Sequence, residues 1–93
     1  MIEVYQAEWC PHSRRIRQRL TELGIDYIAR QVEPDADDRR TLREATGCST
    51  IHVVVLEDGT VLGGEDEVIL AGLDERFPEG PHAEGHRHME AIH

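Results

Sequence analysis

A cysteine set where a strand gives way to a helix constrains this chain more than any other feature. Trp9-Cys10-Pro11-His12-Ser13 follows a short apolar run (Ile2, Val4, Tyr5) and leads into a helical pattern carrying Ile16, Leu20 and Leu23. Pro11 suits the first helical position, where a missing N–H costs nothing. Cys10 then faces the helix's unpaired N–H groups and the positive end of its dipole, which favours a thiolate over a thiol. Cys10 is therefore predicted to have a lowered pKa, with Pro11 shaping the turn. Ser13, one helical turn on, is placed to donate a hydrogen bond to the sulfur.

The rest of the chain alternates between strand and helix patterns. Residues 2–6 read as a strand, 11–23 as an amphipathic helix closed by Gly24, and 26–32 as a second strand. Pro34 and the acids Asp35, Asp37 and Asp38 predict the start of a second helix, since acids suit an N-terminal turn, and Gly47 ends it. Residues 51–56 (Ile-His-Val-Val-Val-Leu) form a β-branched run suited to a buried central strand. Asp58-Gly59 is a hairpin turn, 60–62 the return strand, and Gly63-Gly64 precedes a third helix carrying Ile69, Leu73 and Phe77, stopped by Pro78. The order is β-α-β-α-β-β-α, an α/β fold whose first two strands are parallel through a right-handed crossover and whose last two are antiparallel.

Charge and cysteine content narrow the function. A net charge of −9 argues against a general nucleic-acid binder. No apolar stretch approaches the roughly 18 residues of a membrane span, and the reading is a cytoplasmic monomer. Two cysteines do not make a disulfide framework; in a reducing compartment they are catalytic, redox-active or buried. Arg14, Arg15, Arg17 and Arg19 against Glu22 predict a locally positive helix around Cys10. Arg17 and Arg19 read as a solvated face; Arg14 and Arg15 are close enough to Cys10 to steady a thiolate or receive a carboxylate. Residues 78–93, with Gly, Pro, Glu and His82, His86, His88 and His93, form a tail expected to be disordered, or to chelate Zn²⁺ or Ni²⁺ weakly. The domain proper is 1–77.

Element order, the C-P-x-S turn, the hairpin and the double glycine together resemble the glutaredoxin family. The resemblance implies a thioredoxin-like fold, a mixed four-stranded sheet with helices on both faces. It also implies a thiol–disulfide oxidoreductase, here in single-thiol form because Ser13 replaces the second cysteine. Thr50-Ile51-His52 falls where the family has Thr-Val-Pro, and Gly63-Gly64-Glu65-Asp66 where it has Gly-Gly-x-Asp. Carried over, Cys10 is the nucleophile, and glutathione is a co-substrate lying along Ile51 and His52, with its γ-glutamyl end at Gly64, Glu65 and Asp66. Ala7 stands where the family has a basic residue for the glycine carboxylate, and Arg14 or Arg15 is the candidate substitute. Partners are then glutathionylated or disulfide-bearing proteins and small thiols, with no resident metal or tightly bound cofactor. The competing readings are an iron–sulfur or metal carrier and a redox-inactive binding module.

His52 in place of proline carries its own expectation. A cis bond costs about 0.5–1 kcal/mol before proline and about 2.5–4 kcal/mol otherwise, which predicts a trans Ile51–His52 bond. His52 would steady a thiolate as an imidazolium, act as a base, share a metal with Cys10, or merely sit hydrogen-bonded in a relaxed loop. His12 is expected to face solvent. Cys48 would either resolve a mixed disulfide on Cys10, if their Cα atoms approach within about 7 Å, or simply pack as a small apolar residue.

Overall fold

Strand alternation sorts the core into two layers, one on each face of a single sheet. The computed structural model describes residues 1–93. Its elements are β1 (Ile2–Gln6), α1 (Pro11–Glu22), β2 (Tyr27–Gln31), a 3-10 turn (Ala36–Asp38) and α2 (Arg40–Thr46). They continue with β3 (Val53–Val55), β4 (Val61–Leu62), α3 (Asp66–Arg76) and α4 (Ala83–Ile92). The sheet order is β2-β1-β3-β4, with β1 and β2 parallel and the pairs β1–β3 and β3–β4 antiparallel.

Neighbouring residues on a strand point to opposite faces, and the two cores follow from that. Val4 and Val54 join Ile16, Leu20, Ile69 and Leu73 beneath α1 and α3. Tyr5 and Val53 join Val32 and Leu42 beneath α2 on the other side. With both faces covered, β1 and β3 are the buried centre of the sheet, as the β-branched run predicts. The β3–β4 turn is held by Asp58, whose carboxylate accepts the Thr60 N–H at 2.9 Å.

The second helix starts later than its acids suggest. Asp35 caps the 3-10 turn by accepting the Asp37 N–H at 3.0 Å, and α2 proper begins at Arg40. Between them Arg39 turns inward, 8% exposed. Its guanidinium donates to the carbonyls of Glu33, Pro34 and Ser49 at 2.9, 2.8 and 2.9 Å. That side chain ties both ends of the 33–49 segment together, just before the loop bearing Ile51 and His52. Gly47 closes α2 at φ 76°, a left-handed conformation that favours glycine.

The tail departs from expectation. Instead of a disordered segment, it forms α4, laid along α1. A Cβ on Gly80 would meet backbone atoms of Glu22, Leu23 and Gly24 at 3.0 Å, so the chain passes closely there, and the Gly80 N–H bonds the Glu22 carbonyl at 3.0 Å. Arg87 reaches Glu22 at 3.2 Å and Glu79 at 2.8 Å, and Arg14 reaches Glu90 at 3.4 Å. Apart from the buried Ala83, this docking is polar, which is why a reading based on apolar content misses it.

Candidate active site

The chain leaves β1 at Gln6 and turns so that the Cys10 N–H bonds the Ala7 carbonyl at 3.1 Å. Cys10 is the N-cap of α1 in extended conformation, with Pro11 in the first helical turn as predicted. The residue is 8% exposed, beside Trp9, which is 65% exposed. Ser13 is fully buried, and its hydroxyl oxygen accepts the Ala7 N–H at 3.4 Å. The hydrogen bond Ser13 makes therefore runs to the turn below the cysteine, not to the sulfur. Both cysteines are free; Cys48 lies against the Thr46 carbonyl and the Gly63 backbone and packs on the α2-side core, as a small apolar residue does.

A groove of about 380 Å³ runs past His12, Thr50, Ile51, His52, Gly64, Glu65 and Asp66. It brings together the three segments that the sequence singles out: the start of α1, the loop before β3 and the start of α3. Ile51 lies outside regular structure with its N–H and C=O free of backbone partners. The Ile51–His52 bond is cis, correcting the trans expectation. The intrinsic preference of a dipeptide is a local quantity; here the surrounding fold decides the isomer.

His52 is neither a surface residue nor a hydrogen-bonded one. It is 6% exposed, and both ring nitrogens are buried without a partner. Burial pushes its pKa below the ordinary value, against the upward pull of Asp66. That favours a neutral ring over the imidazolium among the roles expected of it.

Asp66, at the opening of α3, is the electrostatic centre of the groove wall. Its side chain is 4% exposed; Oδ2 accepts from His12 Nδ1 at 3.0 Å and from Arg15 at 2.5 Å. The hydrogen bond from His12, joined by the charge of Arg15, holds the Asp66 carboxyl well below the usual carboxylate range. Arg15 also reaches Glu67 at 3.1 Å, and that bond first, then Asp66, raises its own pKa. Arg14, expected at the ligand, instead turns toward Glu90 on α4 and is absent from the groove lining. Arg17 bonds Gln6 and lies near Glu8, while Arg19 bonds Glu22, Asp74 and Glu79, so neither forms a free solvated face. The positive surface expected around Cys10 is thus matched by acids at every arginine. His12 and Arg15 are the residues whose site contacts the sequence hides, because each meets Asp66 across more than fifty positions.

Comparison with known proteins places this geometry. The family model described as Glutaredoxin matches residues 2–61. An uncharacterized glutaredoxin-like 8.6 kDa protein of Clostridium pasteurianum is 25% identical over 76 residues, covering 82% of this chain and all of that one. Glutaredoxin 3 of Escherichia coli K12 is 27% identical over 75 residues, covering 81% of this chain and 87% of the relative. Among solved structures, a glutathione S-transferase from Methylobacillus flagellatus with GSH bound superposes with a TM-score of 0.68 at 27% identity. That match covers 84% of this chain but 38% of the transferase, so the chain spans well under half of that protein.

Proposed function

Because this chain belongs to the glutaredoxin family, its match spanning residues 2–61, we infer that it exchanges thiols and disulfides through a single catalytic sulfur. The observation that carries this reading is Cys10 at the N-cap of α1, with Ser13 buried where a second cysteine would stand. The Cys10 thiolate attacks a mixed disulfide between a protein and glutathione, or another low-molecular-weight thiol. A Cys10–S–S–R bond forms and the protein thiol leaves. A second small thiol then attacks that bond, releasing Cys10 and a small-molecule disulfide. Ser13 supplies no sulfur, so the mixed disulfide awaits the external thiol.

The groove suits the small thiol. The free backbone of Ile51 offers an edge for an extended peptide, and Gly64, Glu65 and Asp66 open α3 opposite it. Asp66 is already engaged by Arg15 and His12, so a γ-glutamyl ammonium placed there shares that carboxylate with them. No helix is long and apolar enough to cross a membrane, and the setting we propose is the cytoplasm, with the chain acting as a monomer.

The test is turnover of a glutathionylated peptide by glutathione, comparing the wild type with Cys10→Ser. Activity that disappears in the variant supports the single-sulfur mechanism. Activity that survives in the variant, or absence of turnover in the wild type, overturns it.

A further inference from the structure

His12 stands in the first turn of the helix that Cys10 caps, and it lines the groove between the starts of α1 and α3. One of its ring nitrogens is fixed: Nδ1 donates to Asp66 Oδ2 at 3.0 Å. The carboxylate that receives it is almost fully buried and also accepts from Arg15 at 2.5 Å. The other nitrogen, Nε2, makes no hydrogen bond within the chain, and the side chain is 60% exposed. A buried carboxylate orienting an imidazole whose far nitrogen is free, two residues along the chain from a cysteine at a helix N-cap, has the parts that serve proton transfer elsewhere in catalysis.

Thiol–disulfide exchange has a use for such a group. The departing alkyl thiolate is a strong base that gains from protonation, and the thiol that later resolves the intermediate must lose its proton before it attacks. Resting on the oxidoreductase reading above, we propose that His12 is the acid and base of both half-reactions, with Asp66 as its positioning residue. In the first, the Cys10 thiolate attacks the small-thiol sulfur of the mixed disulfide. The S–S bond breaks, and the leaving thiolate takes the proton from Nε2. In the second, Nε2 accepts the proton of the incoming thiol; its sulfur forms a new disulfide with the bound small thiol, and Cys10 departs as a thiolate. The proton and the electron pairs balance over the cycle, and the second thiol is the reductant. The groups facing His12 are Asp66 with Arg15 behind it, His52 at 6.2 Å between ring centroids, and Glu65 on the groove rim. His52, held neutral by burial, adds no competing charge.

The leaving group supplies the test. The full chain, reduced, is mixed in single turnover with two disulfides of the same small thiol. One releases an alkyl peptide thiol, the other nitrothiobenzoate, an acidic thiol that departs without needing a proton. His12→Ala should slow release of the alkyl thiol about tenfold or more while costing much less on the nitrothiobenzoate disulfide. Asp66→Asn should show the same selectivity, and the double variant should be no slower than either single one. His12→Ala, at a side chain largely in solvent, carries the test even if Asp66→Asn folds poorly. Equal slowing of both disulfides, or no slowing, overturns the proposal. A wild type inert toward both overturns the oxidoreductase reading beneath it.

Discussion

At the scale of single residues, two side chains separate what this site does from what holds it together. Ser13 sits one turn beyond Cys10 with its hydroxyl against the Ala7 amide. Replacing it with cysteine puts a second sulfur in the same buried position. Mild oxidation of Ser13→Cys should lower the free-thiol titre to that of Cys48 alone, whereas the wild type keeps Cys10 titratable. An unchanged titre would mean that position 13 points away from the sulfur. His52 is the complementary case, because its ring is buried unprotonated and its pKa lies below the ordinary 6.5. The unfolded chain binds that proton first as the pH falls, so the stabilisation is present above about 6.5 and is lost as the pH falls toward the folded value. The denaturation midpoint of the wild type should therefore fall between pH 7 and pH 5 more steeply than that of His52→Leu. Parallel curves for the two proteins would show that His52 is not the group titrating. The helix start at Cys10 was legible in the sequence because it is local, set by a turn and a proline, whereas the partner of the Ser13 hydroxyl, the Ala7 amide, was not. The contacts of His12 and Arg15 were not legible either, because each depends on Asp66 arriving from the far end of the chain.

At the scale of elements, the strands and the first three helices follow from alternation and breakers. Val4 and Tyr5, or Val53 and Val54, belong to opposite cores because neighbouring residues on a strand cannot share a face. The patterns failed where polar contacts decide. Arg39 splits the expected second helix because three carbonyls draw its guanidinium inward. The tail helix was invisible because its docking uses Gly80 and ion pairs instead of an apolar stripe. Arg39 also gives the element scale its prediction. Lysine cannot reproduce the planar fork that reaches three acceptors, so Arg39→Lys should lose about 1.5–3 kcal/mol of stability. The loop before β3 should loosen as well, raising the KM for the small thiol more than it lowers kcat. A variant with unchanged melting and unchanged KM would show that the loop is held by other contacts.

At the scale of the whole molecule, an acidic chain of net charge −9 sets some of its carboxylates against arginines across α1, α3 and α4. Arg87, then Arg19, holds the Glu79 carboxyl below its ordinary 4.5, and Asp66 lies lower still relative to its ordinary 3.8. Both folded values are depressed, so their stabilisation is complete above the unfolded values and drains away as the pH falls through the folded ones. Urea denaturation should show stability declining below about pH 4.5, and high salt should blunt the Glu79 part more than the buried Asp66 part. A stability flat from pH 5 to pH 3 would contradict the ion-pair network seen across α1, α3 and α4.

Trp9 is the only tryptophan in the chain, and it stands exposed next to Cys10. The protein thus carries one indole fluorophore, located beside the sulfur proposed to react. Its emission, free of background from any other indole, should report each thiol captured and released at Cys10 in real time, without a dye or a coupled assay.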